Sequence, residues 1–491
     1  MPWPHKIRAC TPAAAYARLA QTYDENAMTQ PDIAALFAAQ SAAAPERRVQ
    51  FGYAQRRAAL LALAQAVRAH EAQIIAALAA DFAKPKPEVV LTEIMPVLQE
   101  IRHALAHLRR WMRPQRAAPG LAMLGTSARV TPQARGVCLI IAPWNYPFNL
   151  TLGPLVSALA AGNSAILKPS EMTPATSALI AQIIAKTFPP DLVAVAEGGR
   201  EVAEALLALP FDHIFFTGSP EVGRKVMAAA AQTLASVTLE LGGKSPTIIG
   251  PNANIAQAAA WIAFGKFSNA GQTCIAPDYV FVHDSVKDAF TAALRARITA
   301  AYGAAASSPH LAQVVNDTHA ARLSHLLADA LAKGARVLAG AGASGRAFPP
   351  TLIEAITPQM DIASAEIFGP ILPLIPYSDL ADVITQINAR PKPLTLYIFD
   401  RDAAQVGRII AATSSGSVGV NVTMAQFSHF GLPFGGVGNS GQGAAHGRAG
   451  FDAFSHRRAV LRNYASPLPL LFAPYTGRVQ RLIDLAKRIL G

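Results

Sequence analysis

The chain has 491 residues, of which 52% are hydrophobic and 15% are charged. This composition is typical of globular proteins and excludes an extensively disordered chain, and the length favours two or more domains. The formal net charge is +12, but the Lys and Arg residues are scattered and form no dense basic block with interleaved aromatic residues, so nucleic-acid binding is not predicted.

The opening segment, MPWPHKIRACTPAAAYARLA, is mildly basic and lacks a continuous apolar stretch, so no secretory signal is predicted. The most apolar region, 136–167, is interrupted by prolines and asparagines, which argues against a transmembrane segment. The chain has three cysteines and no C-x-x-C pair, which argues against a disulfide framework or a structural zinc site. We therefore expect a cytoplasmic protein without a bound metal.

Strands and helices are expected to alternate along most of the chain. Two helical stretches come first, at Glu46–Asp81 and Val89–Trp111, where apolar residues recur at helical spacing. From residue 136 the pattern becomes strand, loop, helix, strand, and it continues to the strand His213–Phe216. A second alternating block covers about 255–420. This alternation predicts an α/β protein with parallel sheets in two lobes.

A glycine-containing turn follows the strand HIFF, where Gly218, Ser219 and Gly223 precede an apolar helix. Such a turn directs backbone N–H groups and the helix dipole at an anion such as a pyrophosphate. The segment is not a G-x-G-x-x-G motif, and Arg224 breaks the P-loop pattern. Gln442 likewise replaces the final glycine of a serine-hydrolase elbow. A P-loop triphosphatase and an ordinary esterase are therefore not predicted.

Cys274 lies in FSNAGQTCIAP, a short polar segment between two apolar runs. A thiolate nucleophile needs a polar, partly accessible loop with nearby N–H donors, whereas a structural cysteine normally has aliphatic neighbours, as Cys138 does in VCLIIAP. The local pattern alone leaves two interpretations of Cys274, a reactive thiol or inert packing.

Six separated segments occur in a fixed order: PWNYPFN at 143–149, LKPSE at 167–171, TLELGGKSP at 238–246, GQTC at 271–274, EIFGP at 366–370 and LPFGGVGNSG at 432–441. Together they closely resemble the aldehyde dehydrogenase superfamily, over about residues 46–460. The segments FDHIFFTGS and NAGQTCIAPDYV are most similar to its class 3 and coniferyl aldehyde dehydrogenase branch.

The resemblance implies oxidation of an aldehyde to a carboxylic acid. Cys274 would add to the aldehyde carbon, because only an sp3 adduct can expel hydride. The Asn145 amide and the Cys274 backbone N–H would stabilise the oxyanion. Glu240 would activate water for hydrolysis of the thioester. From the residues alone, Asn145 could instead order a turn, and Glu240 could cap a loop or pair with Lys244.

The resemblance also implies a nicotinamide cofactor. The matching residues are Trp144, Lys168, Glu171, Gly218, Ser219, Gly223, Glu366 and Phe368. Lys168 and Glu171 match the pair that holds the adenosine ribose, and Glu366 with Phe368 matches the nicotinamide end. A carboxylate near the ribose 2′-hydroxyl favours NAD, because a 2′-phosphate would meet its negative charge, but NADP is not excluded.

The side chains expected at the substrate mouth are Tyr146, Asn149, Phe267, Ile275 and Phe434. They predict an apolar, aromatic tunnel, although apolar side chains near a core usually belong to that core. Relatives tend to carry His two places before the Leu-Pro pair, where this chain has Phe430, preceded by His429. Aromatic substrates such as coniferyl aldehyde and medium-chain aliphatic aldehydes both remain open.

The same resemblance divides the chain into domains: an N-terminal extension of unassigned role at 1–45, a Rossmann-like NAD(P)-binding domain at 46–117 and 135–240, a catalytic α/β domain at 241–425, and a small β bridging arm with a C-terminal tail at 118–134 and 426–491. Relatives dimerise through this arm, so a homodimer is expected. The tail YTGRVQRLIDLAKRILG predicts a basic amphipathic helix, packed on its own protein in preference to a membrane.

Two other functions compete with this interpretation. A CoA-acylating aldehyde dehydrogenase passes the thioester to a thiol and does not need a hydrolytic base, so Glu240 argues against it. A non-catalytic binding or structural protein on the same fold would have no reason to retain Cys274, Glu240 and Asn145 together.

Overall fold

The computed structural model describes residues 33–303, 308–340 and 342–490. The α-helices are α1 Ile33–Gln50, α2 Tyr53–Ala69, α3 Glu71–Phe82, α4 Lys86–Val89, α5 Met95–Trp111, α6 Pro147–Ala161, α7 Pro174–Thr187, α8 Arg200–Leu207, α9 Pro220–Thr233, α10 Ile255–Phe267, α11 Lys287–Tyr302, α12 Asp317–Ala332, α13 Asp361–Ser364, α14 Leu380–Asn388, α15 Ala403–Ala412, α16 Gly447–Ala453 and α17 Gly477–Leu490. A π-helical turn covers Val90–Ile94, and 3₁₀ turns cover Leu121–Met123, Ser268–Gly271, Asp284–Val286, Ala425–Ser428 and Leu468–Leu471.

The strands are β1 Gln115–Ala117, β2 Thr126–Ala134, β3 Val137–Ile141, β4 Ser164–Lys168, β5 Val193–Val195, β6 His213–Gly218, β7 Ser236–Leu241, β8 Pro246–Ile249, β9 Tyr279–His283, β10 Arg336–Ala339, β11 Thr351–Glu354, β12 Ile371–Tyr377, β13 Thr395–Phe399, β14 Ser417–Val420, β15 Gly441–Gln442 and β16 Ser455–Asn463. They form three sheets.

The first sheet has the order β15-β7-β6-β3-β4-β5, and its strands β3 to β7 are parallel. Every residue of β3, β4 and β5 is buried, as expected for a parallel sheet covered on both faces. The chain proceeds outward from β3 to β5 and then returns to β6 on the other side. This reversal places a ligand crevice at the carboxyl ends of β3 and β6.

The second sheet has the order β10-β11-β12-β9-β8-β13-β14 and is parallel except for β10. The third is a small sheet in which β2 pairs with β16 over its whole length, from Thr126 opposite Asn463 to Ala134 opposite Ser455. The predicted fold class, two α/β units with parallel sheets and a small β arm, is confirmed.

Several element boundaries differ from those expected. The stretch 46–81, expected to be one helix, is divided between α1, α2 and α3. One break falls at Gly52, which has an extended backbone (φ −79°, ψ −164°). The boundary expected at residue 46 lies inside α1, and residues 1–32 of the expected extension lie outside the described residues.

The arm also differs in detail from the expected ranges. β1, at 115–117, belongs to the arm sheet, although it falls within the range expected for the cofactor domain. β15, within the range expected for the arm, pairs with β7 of the first sheet, with Gly441 opposite Glu240.

Helix α1 is attached to the first sheet by polar side chains. The buried amide of Gln40 donates hydrogen bonds to the carbonyl oxygens of Ala165 and Pro190, both at 3.0 Å. Arg47 donates to the carbonyl of Asp191 at 2.6 Å. Residues 33–45 are therefore part of the first folded unit.

The expected C-terminal helix is confirmed as α17. No side chain of residues 477–489 is buried, and Leu485 and Ile489 are exposed. The helix contacts the turn Leu468–Leu471 of the same chain, and its packing on its own protein in preference to a membrane stays a prediction. In the described ranges, no helix combines the length and hydropathy that a membrane crossing requires.

A buried ion pair joins the segment after α3 to the start of α6. Lys84 Nζ lies 2.7 Å from Glu93 Oε1, and both side chains are fully buried. The other Glu93 oxygen accepts the backbone N–H of Asn149 at 2.9 Å. Burial raises the pKa of Glu93, and the Lys84 charge opposes that rise. Removing only one partner of such a pair strongly destabilises the folded protein, because the other charge stays buried without compensation.

Replacing Lys84 with Met is therefore expected to lower the free energy of unfolding by about 3 to 5 kcal/mol, because Glu93 would stay buried without its cation. Urea denaturation followed by circular dichroism measures the change. The matched control is Lys225→Met, whose partner Glu221 is 77% exposed, and which is expected to change stability little. Equal losses in the two variants would contradict the importance of the buried pair.

Candidate active site

Cys274 lies in a tight loop, residues 268–277, which we call the cysteine loop. Asn269, Ala270 and Gly271 all adopt left-handed φ values, of 53°, 52° and 73°. A Cβ on Gly271 would lie 2.3 Å from the carbonyl oxygen of Gly369, so only glycine allows this close approach. The turn leaves the Cys274 side chain partly exposed.

The cysteine loop is bonded to the segment that follows β3. The Asn145 amide donates to the Gln272 carbonyl at 3.0 Å, and the Asn269 amide donates to the Asn145 carbonyl at 2.7 Å. The Tyr146 hydroxyl lies 2.7 Å from the Thr273 hydroxyl. A side-chain NH2 group has two donors, so Asn145 keeps one N–H for another acceptor.

A second contact holds the cysteine loop from the opposite side. Glu88, on α4, accepts the backbone N–H of Asn269. Burial raises the pKa of Glu88 to about 7, against the lowering effect of the Lys84 charge and of the Asn269 N–H. The π-helical turn Val90–Ile94 follows directly, and π turns often occur at functional sites.

Cys274 and Glu240 line the same cavity, which has about 630 Å³ of empty space including its opening to solvent. Its other walls are mainly aromatic and aliphatic, and they include Phe427, Phe430 and Phe434. An apolar pocket with a few convergent polar groups is the usual form of a small-molecule site.

Glu240, near the end of β7, is a buried carboxyl group without a partner. Neither of its oxygens has a hydrogen bond among the described residues, and burial raises its pKa well above the usual range. Lys244 bonds to Asp278 and to the Ala365 carbonyl, so the alternative in which Glu240 pairs with Lys244 is wrong. A perturbed, unpartnered carboxyl group in a cleft is a candidate general base.

The environment of Cys274 favours the protonated thiol. Burial raises its pKa to about 12, and the negative charges of Glu366 and Glu240 add to that effect, whereas the backbone N–H groups of Cys274 and Ile275 oppose it. Since the thiolate is the reactive form, a base must take the proton when the sulfur attacks. Glu240 is the unpartnered carboxyl group that shares its cavity.

Four of the expected cofactor residues lie at or just after the carboxyl ends of β4 and β6, the two strands that flank β3 in the first sheet. Lys168 ends β4 and bonds to Glu171 at 3.0 Å. Gly218 ends β6, and Ser219 caps α9 by accepting the Val222 N–H. The N-terminus of α9 therefore presents backbone N–H groups at the crevice, where they suit a pyrophosphate.

Glycines allow close packing around that crevice. A Cβ at Gly218 would lie 2.5 Å from the Phe216 ring, and one at Gly223 would lie 2.7 Å from Leu241. Gly223 therefore allows helix α9 to approach strand β7 closely, and the ring of Phe216, on the same strand as Gly218, occupies the space beside that glycine.

The second sheet's unit supplies the other expected cofactor residues. Glu366 accepts the Gly243 N–H at 3.1 Å, and burial raises its pKa to about 7. The Phe368 ring lies edge-on to Trp144, with centroids 5.3 Å apart. The α9 N-terminus and the pair Trp144 and Phe368 are the two ends at which an extended dinucleotide such as NAD or NADP would be held, and the charge of Glu366 acts on the Cys274 thiol.

The residues expected at the substrate mouth occupy three environments. Asn149 and Phe434 line the cavity, and Ile275 packs with Phe434 beside Cys274. Tyr146 is buried under Lys84, whose Nζ is 4.0 Å from its ring, outside the cavity lining.

Phe267 does not belong to the substrate mouth, contrary to expectation. It is fully buried, belongs to the main hydrophobic core, and packs against Tyr302 with ring centroids 6.1 Å apart. α10 directs it into the interior, so its proximity to Cys274 in sequence does not become proximity to the cavity.

Several residues of this region had no sequence signal. Glu88 and Glu93 lie in an ordinary amphipathic stretch, and only the fold brings them to the cysteine loop and to α6.

Lys266 is fully buried and its Nζ has no hydrogen-bond partner within the described ranges. Burial lowers its pKa to about 8. No group of three or more potential metal ligands occurs in the part of the chain that the structure describes.

Comparison of the sequence with protein families matches residues 5–460 to a sequence model described as "Aldehyde dehydrogenase family". The chain is 42% identical to "Probable coniferyl aldehyde dehydrogenase" from Pseudomonas aeruginosa, over 84% of this chain and 87% of that protein. It is 41% identical to 4,4'-diaponeurosporen-aldehyde dehydrogenase from Staphylococcus aureus, over 86% of this chain and 92% of that protein.

Solved structures with a similar fold are also found. A structure of the substrate-bound state of Staphylococcus aureus AldH is similar with a TM-score of 0.88 and 39% identity, over 92% of this chain and 99% of that chain. An NADP-dependent glyceraldehyde-3-phosphate dehydrogenase from Bacillus halodurans, in complex with NADP, is similar with a TM-score of 0.82 and 28% identity, over 88% and 91% of the two chains.

The charge of Glu366 gives a pH-dependent expectation for Cys274. Glu366→Gln should speed alkylation of Cys274 by iodoacetamide above about pH 7, where the native carboxylate is charged and raises the thiol pKa. Below that pH the native group is protonated and the two rates should converge. Mass spectrometry of the Cys274 peptide between about pH 6 and 10 measures the rates, with the surface change Glu221→Gln as control. Equal rates well above neutral pH would contradict the electrostatic account.

Proposed function

Because the chain belongs to the aldehyde dehydrogenase family, we propose that Cys274 is the nucleophile and Glu240 the base in its NAD(P)-dependent oxidation of an apolar aldehyde to the carboxylic acid. The supporting observation is that the Cys274 thiol and the unpartnered carboxyl group of Glu240 line one largely apolar cavity.

In the first step the Cys274 sulfur adds to the aldehyde carbon, and the thiol proton passes to Glu240, whose two oxygens are free to accept it. The carbonyl oxygen becomes an oxyanion of the thiohemiacetal. The remaining N–H of the Asn145 amide and the Cys274 backbone N–H are the proposed donors to this oxyanion. Burial raises the pKa of Glu240, which makes its carboxylate a stronger base.

The chemistry that a bound nicotinamide would supply is acceptance of the hydride, which would leave a thioester on Cys274. The residues of the chain then direct hydrolysis. Glu240 releases to solvent the proton that it took from Cys274. It then removes a proton from water as the water oxygen attacks the thioester carbon, and this proton returns to the departing sulfur. The C–S bond breaks and the acid leaves. One carboxyl group thus serves both half-reactions.

The proposed cofactor contacts run along the crevice of the first sheet. Lys168 and Glu171 would hold the adenosine ribose, and Gly218 with Ser219 would hold the pyrophosphate at the α9 N-terminus. Glu366, Phe368 and Trp144 would frame the nicotinamide end, with Gly223 allowing α9 to approach β7. The Glu171 carboxylate favours NAD over NADP.

The cavity supports an aldehyde with an aromatic or aliphatic body. The aromatic walls that include Phe427, Phe430 and Phe434 suit an aromatic ring, which favours edge-to-face contacts. The names of the two relatives above, coniferyl aldehyde dehydrogenase and 4,4'-diaponeurosporen-aldehyde dehydrogenase, refer to aldehydes with extended unsaturated bodies. An aromatic aldehyde of the coniferyl type is the substrate we propose, with medium-chain aliphatic aldehydes as the alternative.

CoA-acylating chemistry is the less favoured alternative, because Glu240 lies in the cavity where a hydrolytic base is required.

We further propose a cytoplasmic homodimer. A free thiol nucleophile suits a reducing compartment. The arm strand β16 has mostly exposed side chains, which supports pairing of the arm with a second copy.

Replacing Glu240 with Gln is expected to slow the burst of NADH as well as the steady rate, the steady rate by about 100-fold or more, because the proposed base is lost from both thiol activation and thioester hydrolysis. Stopped-flow absorbance of NADH measures both phases. The control Cys274→Ala should show neither phase while retaining NAD binding by calorimetry. Steady turnover at the native rate in the Glu240→Gln variant would overturn the assignment of the base.

Replacing Glu171 with Gln is expected to shift the ratio of kcat/KM for NAD to that for NADP by about tenfold toward NADP, because the negative charge that opposes a 2′-phosphate is removed. The exposed change Glu221→Gln, at the α9 N-terminal turn, serves as the matched control. An unchanged ratio would contradict the placement of Glu171 at the adenosine ribose.

A further inference from the structure

A second polar pair lines the cavity that holds Cys274 and Glu240. Glu100, on α5, is buried, and one of its oxygens accepts the Gly447 N–H at 2.8 Å. Its other oxygen lies 3.3 Å from His446 Nδ1. Both side chains contribute to the cavity wall. The reaction proposed above does not use either of them.

His446 is held among aromatic rings. Its ring lies edge-on to Phe427 and Phe434, with centroids 4.5 and 5.5 Å apart, and 5.3 Å from Phe430. Its φ is +66°, an uncommon value for a residue with a side chain, and such strain is characteristic of functional positions. The backbone and the three rings therefore fix the direction of the imidazole.

The same phenylalanines set the separation between His446 and the nucleophile. Cys274 packs against the cluster that contains Phe434 and Phe427, and the His446 ring packs edge-on to both of those rings. The thiol and the imidazole are therefore neighbours of the same two phenylalanines in the wall of one cavity. A substrate with its aldehyde carbon at Cys274 and a ring against these phenylalanines would place its far end near His446.

The pair also determines which hydrogen bond the imidazole can make. A carboxylate only accepts hydrogen bonds, so the Nδ1 that faces Glu100 carries the proton. The Nε2 of the neutral ring is then a lone-pair acceptor. An acceptor in an apolar cavity selects a ligand with an O–H group, because a ligand without one leaves the acceptor unpaired.

We propose that His446, positioned by Glu100, accepts a hydrogen bond from a hydroxyl group at the end of the substrate remote from the aldehyde. The substrate class is then a hydroxylated aromatic aldehyde. This inference rests on the proposed function, since it concerns the same cavity. His446 is the specificity-determining residue and Glu100 is a positioning residue.

Turnover of paired substrates tests the proposal. The native protein should have a kcat/KM for 4-hydroxycinnamaldehyde at least about tenfold above that for 4-methylcinnamaldehyde, which has the same shape without the O–H. In His446→Phe that ratio should fall to about one. The matched control is His107→Phe on the same helix as Glu100, whose ring stacks on Trp111, and which should keep the native ratio. A native ratio near one, or a native ratio retained in His446→Phe, would overturn the proposal.

A second variant separates recognition from mere packing. In Glu100→Gln the carbonyl of the new amide can accept the Gly447 N–H while its NH2 donates to His446 Nδ1, so Nε2 becomes the protonated nitrogen. Preference should then move from the 4-hydroxy substrate to 4-methoxycinnamaldehyde, which only accepts. Loss of activity without that reversal would indicate a structural role for Glu100 and overturn its assignment.

Binding measurements keep this inference distinct from the proposed reaction. The amides 4-hydroxycinnamamide and 4-methylcinnamamide cannot be oxidised as aldehydes, and calorimetry of each with the native protein and His446→Phe reports recognition alone. Tighter binding of the hydroxy amide only in the native protein supports the proposal even if no aldehyde is turned over. Oxidation of cinnamaldehydes with equal binding of the two amides would support the function and reject the inference.

Discussion

Burial of carboxyl groups around the cysteine loop is the constraint on which the rest of the site depends. Glu93, paired with Lys84, accepts the N–H of Asn149 at the start of α6, and Glu88 accepts the N–H of Asn269 in the cysteine loop. One short segment between α3 and α5 thereby holds both the strand-to-helix turn that carries Asn145 and the loop that carries Cys274. Because an unpaired buried charge is unfavourable, each carboxyl group permits few arrangements of its neighbours.

The chemistry follows from leaving one further carboxyl group unpaired. Glu240 could have formed an ion pair with Lys244, but Asp278 takes that lysine. Its raised pKa and that of the Cys274 thiol have the same first cause, which is burial. In our proposal a proton passes between these two groups, neither of which forms a salt bridge among the described residues. The same largely apolar cavity then selects the body of the aldehyde.

The sequence predicted features that depend on neighbouring residues, but it did not predict contacts between distant segments of the chain. The parallel strands and the polar loop around Cys274 depend on neighbouring residues, so alternation and turn chemistry predicted them. Phe267 precedes Cys274 closely in the chain, but its helix directs it into the core. Glu88, Glu100 and His446 reach the site only when α4, α5 and the segment before α16 pack against distant loops, and no short pattern encodes that packing. The break at Gly52 was missed because an alanine-rich stretch keeps its helical spacing through a short interruption.

The central claim is that Cys274 forms the covalent intermediate. We would mix the native protein with NAD and an aromatic aldehyde, quench in acid within milliseconds, and map the added mass by peptide mass spectrometry. The account predicts the mass of the acyl group on the peptide that contains Cys274, present early and absent when NAD is omitted. An acyl group on any other residue, or rapid turnover with no acyl group on Cys274 at any time, would contradict it.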